Sequence, residues 1–225
     1  MDYRSNGVLG VLTPQANTTV EPEMWTLLPP AWTLLNARMT SGCDSMEARL
    51  KEYVEDFEKS IEQFANAPLH AVAFACTGAS YLIGKDREAQ IVHDAERRFG
   101  FPCVTAGQAS TTALRALGAT RIALLSPYPE SLNAAARPYW ESQGFEIVAM
   151  AGPQLEKSEF HPIYAMSAAS VFDAYAKLAK TDADAVLMLG TGMATLEPHL
   201  EGQAQGFLPT VTCNMALTWL SVQRA

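Results

Sequence analysis

The sequence has no cluster of lysine and arginine, no CxxC pair, no apolar run near the length of a bilayer, and only four histidines, all far apart. Each absence removes a class of function. Binding to nucleic-acid phosphates needs clustered cations, and a net charge of −8 with an isoelectric point near 5.0 points the other way. Four scattered cysteines with no histidine at ligand spacing make a structural zinc or a disulfide framework unexpected. No stretch nears the roughly 18 apolar residues that span a membrane. The N-terminal MDYRSNGVLG has no apolar run before a small-residue cleavage site, so neither a signal peptide nor a membrane is expected, and the expected compartment is the cytoplasm. What remains is an ordinary globular composition: 225 residues, 48% hydrophobic, mean hydropathy near zero.

What is present is a repeat. AVAFACTGAS (71–80) and AVLMLGTGMAT (185–195) share an apolar strand, a Thr-Gly turn and then small residues, so that Cys76-Thr77-Gly78 returns as Gly190-Thr191-Gly192, 114 residues later, without the cysteine. LTPQAN (12–17) matches LLSPYPESLN (124–133), and FPCVT (101–105) matches LPTVT (208–212), in the same order. Repeated order along the chain argues for two homologous halves, 1–112 and 113–225.

Within each half, strands and helices alternate. Strands are expected at Gly7 to Pro14, Trp32 to Met39, Ala71 to Cys76 and Cys103 to Ala106, then at Arg121 to Ser126, Glu146 to Ala149, Ala185 to Leu189 and Thr210 to Cys213. Met46, Leu50, Tyr53, Val54, Phe57, Ile61 and Phe64 recur at helical steps opposite a charged face, which predicts one long amphipathic helix from Ser45. Further helices are expected near 21–28, 88–98, 111–117, 132–142 and 168–180. The alternation predicts an α/β fold of two pseudo-symmetric halves, each a parallel sheet flanked by helices. Ligands in such folds sit beyond the carboxyl ends of the strands, where Asn17, Cys76, Tyr128, Asn133 and Thr191 fall.

Cys76 is the candidate catalytic residue. A thiol between a strand and a helix faces free backbone N–H groups and the positive helix end, and both are expected to lower its pKa toward neutrality; the alternative is a packed core cysteine. Thr77, Gly78, Gly190, Thr191 and Gly192 offer small residues and amide or hydroxyl donors suited to a carboxylate or an enediolate. GTGMAT (190–195) is only half of a dinucleotide fingerprint and lacks its last glycine, so no nucleotide is expected. Asn17 and Asn133 are candidate carboxylate ligands or merely loop residues, and Tyr128 a hydroxyl donor or a packing residue. Pro14, Gln15, Cys43, His161 and Cys213 are possible pocket-lining positions.

Taken in order, GVLTPQANTTVEP, ACTGAS, SPYPESLN, LGTGMATL and PTVTCNMA resemble the aspartate/glutamate racemase superfamily, in its branch of maleate cis-trans isomerases and arylmalonate decarboxylases. That resemblance implies a cleft between two halves, no metal, pyridoxal or nucleotide cofactor, a small carboxylate or dicarboxylate substrate, and sometimes a homodimer. By resemblance to the isomerases, Cys76 is the nucleophile or base, while Asn17, Tyr128 and Asn133 hold carboxylates. By resemblance to the decarboxylases, Thr77, Tyr128 and the backbone at Thr191 stabilise an enediolate. Two departures matter: Gly190 stands where isomerases and racemases carry a second cysteine, and Gly78 replaces a serine of the decarboxylase pocket. Racemisation needs an acid and a base on opposite faces, so a single thiol demotes it; resemblance in the first segment, around Asn17, favours cis-trans isomerisation of a dicarboxylate, the single-cysteine arrangement favours decarboxylation, and racemisation or mere carboxylate binding are the further alternatives. A cysteine at Gly190 is expected to bring racemisation back.

Overall fold

A computed structural model describes residues 4–153 and 162–225. Among the described residues eight strands form two four-stranded parallel sheets. The first takes β1 (Gly7–Pro14), β2 (Trp32–Met39), β3 (Ala71–Phe74) and β4 (Cys103–Thr105) in the order β2-β1-β3-β4; the second takes β5 (Arg121–Leu125), β6 (Glu146–Ala151), β7 (Ala185–Met188) and β8 (Thr210–Thr212) in the matching order β6-β5-β7-β8. Each half therefore repeats one strand order, as the internal repeat predicts. All residues of β1, β3, β7 and β8 are buried, and β3 and β7 accordingly read as unbroken apolar runs: helices cover both faces of a parallel sheet.

The helices are α1 (Val20–Leu27), α2 (Met46–Glu55), α3 (Phe57–Glu62), α4 (Thr77–Phe99), α5 (Ala106–Ala116), α6 (Glu130–Ser142), α7 (Ala168–Leu178), α8 (Leu196–Ala204) and α9 (Cys213–Arg224). The long helix predicted from Ser45 is instead two, divided at Asp56. The change of direction brings Phe57 edge-on to Phe74 of β3, ring centroids 5.3 Å apart, so packing on the sheet overrides the continuous helical period. Helix α4 starts eleven residues earlier than predicted, directly after Cys76, and is broken at Gly84, where φ is +75°. The division at residues 112 and 113 falls inside α5.

Buried side chains join the halves. Helices α5 and α9 follow the last strand of each half and pack on one another, and α9 also reaches β3 and β4 of the first sheet. Tyr139 of α6 donates to the buried Glu88 of α4 at 2.6 Å, beside Ser80 at 2.6 Å and Thr105. Glu23 of α1 is 7% exposed and accepts from the Thr195 amide (2.6 Å), the Leu196 amide (3.1 Å) and Asn214 Nδ2 (2.7 Å). A carboxylate from one half thus caps the helix α8 of the other.

Glu23→Ala leaves two amides and a carboxamide buried without their acceptor, and is expected to lower stability by about 2–4 kcal/mol. Urea unfolding measures this; an unchanged midpoint would mean that α1 does not hold the second half.

Candidate active site

The carboxyl ends of β1, β3, β5 and β7 meet at a cavity of about 60 Å³. The first half contributes Pro14 to Asn17, the α2 residues Met46, Arg49, Leu50 and Tyr53, and Cys76. The second contributes Tyr128, Ile163, Tyr164, Thr191 and Gly192. Sequence reasoning placed Pro14, Gln15, Asn17, Cys76, Tyr128, Thr191 and Gly192 at such a site, and the structure brings them together.

Cys76 ends the β3 segment with extended backbone (φ −148°, ψ 103°) and is the N-cap of α4. The Gly78 and Ala79 amides approach its sulfur and favour the anion, although neither closes a full capping hydrogen bond. Burial opposes them and wins. It pushes the thiol up to about 12 from an ordinary value near 9, with the neighbouring Cys213 adding to the rise. The expected fall toward neutrality is therefore reversed, because a thiol 5% exposed loses more hydration than two amides restore. In the ligand-free protein Cys76 is a neutral thiol, a proton carrier as well as a latent nucleophile.

Thr77 is fully buried and does not reach the cavity wall; its hydroxyl shares a 2.8 Å hydrogen bond with Tyr128. It acts on the pocket through that phenol. Gly78 also stays off the wall. A Cβ there would lie 3.0 Å from Leu50 and 3.2 Å from Leu132, so a serine side chain at this position would meet packed methyls.

Asn17 has one foot in each half. Its Oδ1 accepts from the Thr19 amide (2.9 Å) and the Val20 amide (3.2 Å), and its Nδ2 donates to the Thr191 hydroxyl at 3.2 Å. The Thr191 hydroxyl in turn donates to the Ala75 carbonyl at 2.7 Å. Its side chain is thereby committed to joining the halves beside Cys76. Asn133 is not at the site: its carboxamide accepts from Ser126 (2.5 Å) and donates to the Tyr128 carbonyl (2.9 Å), fixing the turn that carries Tyr128.

Of the remaining candidates, Cys43 is half-buried off the wall, its thiol 3.3 Å from Glu52. Cys213 is buried behind the pocket, approached by Ser110 at 3.7 Å, by the Gly190 amide and by the Thr77 hydroxyl. Burial raises it to about 11. His161 lies outside the described residues.

Gly190 differs most from its counterpart Cys76. Its φ is +83°, and a Cβ would lie 2.7 Å from Pro127 and 3.1 Å from Ile163. Helix α8 begins only at Leu196, whereas α4 begins one residue after Cys76. The repeat therefore preserves the strand end but not the helix start, and Gly190 is the residue the backbone demands. A cysteine there has neither the room nor the helix terminus that the expected return of racemisation needs.

Sequence reasoning missed Arg49, Tyr53 and Tyr164. Arg49 lies on the face of α2 with Met46, Leu50 and Tyr53, so the one available signal was a cation on an apolar stripe. Burial pushes the Tyr53 phenol up to about 12 and the Tyr128 and Tyr164 phenols up as well, leaving three neutral hydroxyls around the cavity. Among the described residues no group of three His, Cys, Asp or Glu side chains is suited to a metal, and no helix is long and apolar enough to cross a membrane.

Comparison with known proteins agrees with this architecture. A family model described as arylmalonate decarboxylase matches residues 9–225. A maleate isomerase of Geobacillus stearothermophilus is 26% identical over 152 residues, 62% of this chain and 60% of that protein; the match spans less than two thirds of that relative's length. The crystal structure of the maleate isomerase Iso from Pseudomonas putida S16 superposes with a TM-score of 0.87 at 22% identity, covering 96% of this chain and 92% of the other. The Nocardia farcinica maleate cis-trans isomerase, as a cysteine-to-serine mutant with a covalently bound succinylcysteine intermediate, superposes with a TM-score of 0.84 at 22% identity, over 97% of this chain and 92% of the other. At such identities the superpositions establish the fold.

Two outcomes follow. Alkylation of Cys76, read by mass spectrometry, is expected to be slow at pH 7–8 and to rise only above pH 9. The sign follows from the raised pKa: the folded state holds the thiol proton more tightly than the unfolded chain, so this contribution to stability is full below pH 9 and is lost toward pH 12. A midpoint near neutrality would contradict the burial argument. Gly190→Cys is expected to lower stability by about 2–4 kcal/mol from left-handed strain and overpacking, with no gain of α-proton exchange in D2O; a stable variant that exchanges would restore the symmetric reading.

Proposed function

We propose, since the chain belongs to the arylmalonate decarboxylase family, that it is a cofactor-independent enzyme in which Cys76 adds to a small unsaturated dicarboxylate and isomerises it from cis to trans. The observation that carries this reading is a single thiol, with two amides directed at its sulfur, facing a cavity of only about 60 Å³. Such a space holds a few waters. It suits a short-chain acid and is tight for an aryl ring.

Chemically, the S–H adds across the double bond. Sulfur bonds to one alkene carbon, the π pair moves to the other, and that carbon takes the proton, giving a saturated thioether. Rotation about the new single bond, return of a proton from carbon to sulfur, and cleavage of the C–S bond release the trans acid and restore the thiol. The Gly78 and Ala79 amides favour negative charge on sulfur as the proton leaves it, and the Tyr128 phenol offers a donor to charge developing on a substrate carboxylate. The covalent succinylcysteine of the Nocardia farcinica isomerase, held in a cysteine-to-serine mutant, supports formation of a thioether on one cysteine.

A second reading rests on the protonation state of Cys76. A thiol held neutral is a ready proton donor, as decarboxylation of a malonate requires: the C–CO2 bond breaks, its electron pair remains as an enediolate, and the thiol protonates the α-carbon before recovering a proton from water.

Incubation with maleate, phenylmalonate, aspartate and glutamate in D2O, followed by proton NMR, separates these. Fumarate formation, lost by about 10³-fold or more in Cys76→Ala, is the expected result. Carbon dioxide with a singly deuterated monoacid indicates the decarboxylase, and turnover that survives Cys76→Ala overturns both.

A further inference from the structure

The protein carries a net charge of −8, so its overall field repels a dianion, and a diacid in the Cys76 cavity needs a local cation. Arg38 is already committed. It pairs with Glu21 and donates to the Asn17 carbonyl at 2.7 Å and the Pro14 carbonyl at 3.3 Å. Among the described residues Arg49 is the cation on the cavity wall. Its Nη2 donates to the Cys43 carbonyl at 3.2 Å, which fixes the direction of the guanidinium, while its Nε is buried with no hydrogen-bond partner. Among the described residues Arg49 makes no ion pair, and the nearby Glu52, three residues along α2, is taken up by Ser41 and Cys43.

A buried N–H without a partner is costly in a finished structure and becomes useful when a ligand supplies the acceptor. The guanidinium fork matches a carboxylate, and Nε–H is one of its prongs. The other wall residues of α2, Met46, Leu50 and Tyr53, leave only an apolar surface and a neutral phenol beside it.

We propose that Arg49 pairs with the second carboxylate of the substrate, the one remote from Cys76, and thereby selects short-chain dicarboxylates over monocarboxylates. The inference rests on the reading of this pocket as a site for small acids. It adds the residue that counts the substrate's charges.

Succinate and butyrate serve as probes, since they share a four-carbon chain and neither can isomerise. By titration calorimetry on the intact protein, Arg49→Met is expected to weaken succinate about 10- to 100-fold, with butyrate changed less than about threefold and Arg49→Lys intermediate. Succinate binding unchanged in Arg49→Met, equal loss of both acids, or no binding of succinate by the unaltered protein overturns the proposal. Should Arg49→Met fail to fold, Arg49→Gln and Arg49→Lys carry the same comparison. Selective loss of succinate in a protein that does not turn over maleate supports the role of Arg49 and overturns only the reaction; maleate turnover with unaltered succinate binding does the reverse.

Discussion

The site depends on the Thr191 hydroxyl. It donates to the Ala75 carbonyl, one residue before the thiol, and accepts from Asn17, so three chain segments from both halves converge on one oxygen. Glu23 and Asn214 brace the same turn, Asn214 through the Thr191 carbonyl at 3.0 Å, and Thr19 holds the Gly192 carbonyl at 2.9 Å. Apart from the half-buried Thr19 contact all of this is buried, where hydrogen bonds are stronger and broken ones more expensive. The distance between the two strand ends is therefore set by side-chain chemistry around α1, and the cavity is the space that this bracing leaves.

Much of the fold was legible because parallel strands write themselves as apolar runs. β1 and β2 fall on the residues expected from the sequence. The helices were less legible: α8 and α9 carry little periodic contrast, and the start of α4 lies in Thr-Gly-Ala-Ser, which reads as a turn until the strand before it is in place. At the site, Cys76 and the Thr-Gly turns stood out through repetition. Arg49 did not, since its meaning comes from which way α2 faces. Asn133 was misplaced because a carboxamide after a strand looks the same whether it serves a ligand or its own turn. The direction of the Cys76 shift was unreadable for a related reason: the sequence shows the helix terminus but not the depth of burial that outweighs it.

The neutral thiol and the unpaired guanidinium give the cavity a division of labour. In the proposed reading Cys76 carries the reacting atom with little charge around it, and Arg49 carries a fixed positive charge with no chemistry of its own. A reagent that must exchange a proton benefits from an environment holding it uncharged at rest, whereas a positioning group benefits from permanent charge and a planar fork. Tyr53, Tyr128 and Tyr164 supply hydroxyls without adding to either charge.

The seam of α5 against α9 carries a consequence for how such a molecule could arise. Two identical half-chains assembled as a dimer would be bound to carry the same residue at both strand ends, so any gain at one would be imposed on the other. Joining them in one polypeptide removes that obligation. One strand end keeps a cysteine and an adjoining helix, the other takes a glycine in a backbone shape that no cysteine would share, and heredity can act on each separately.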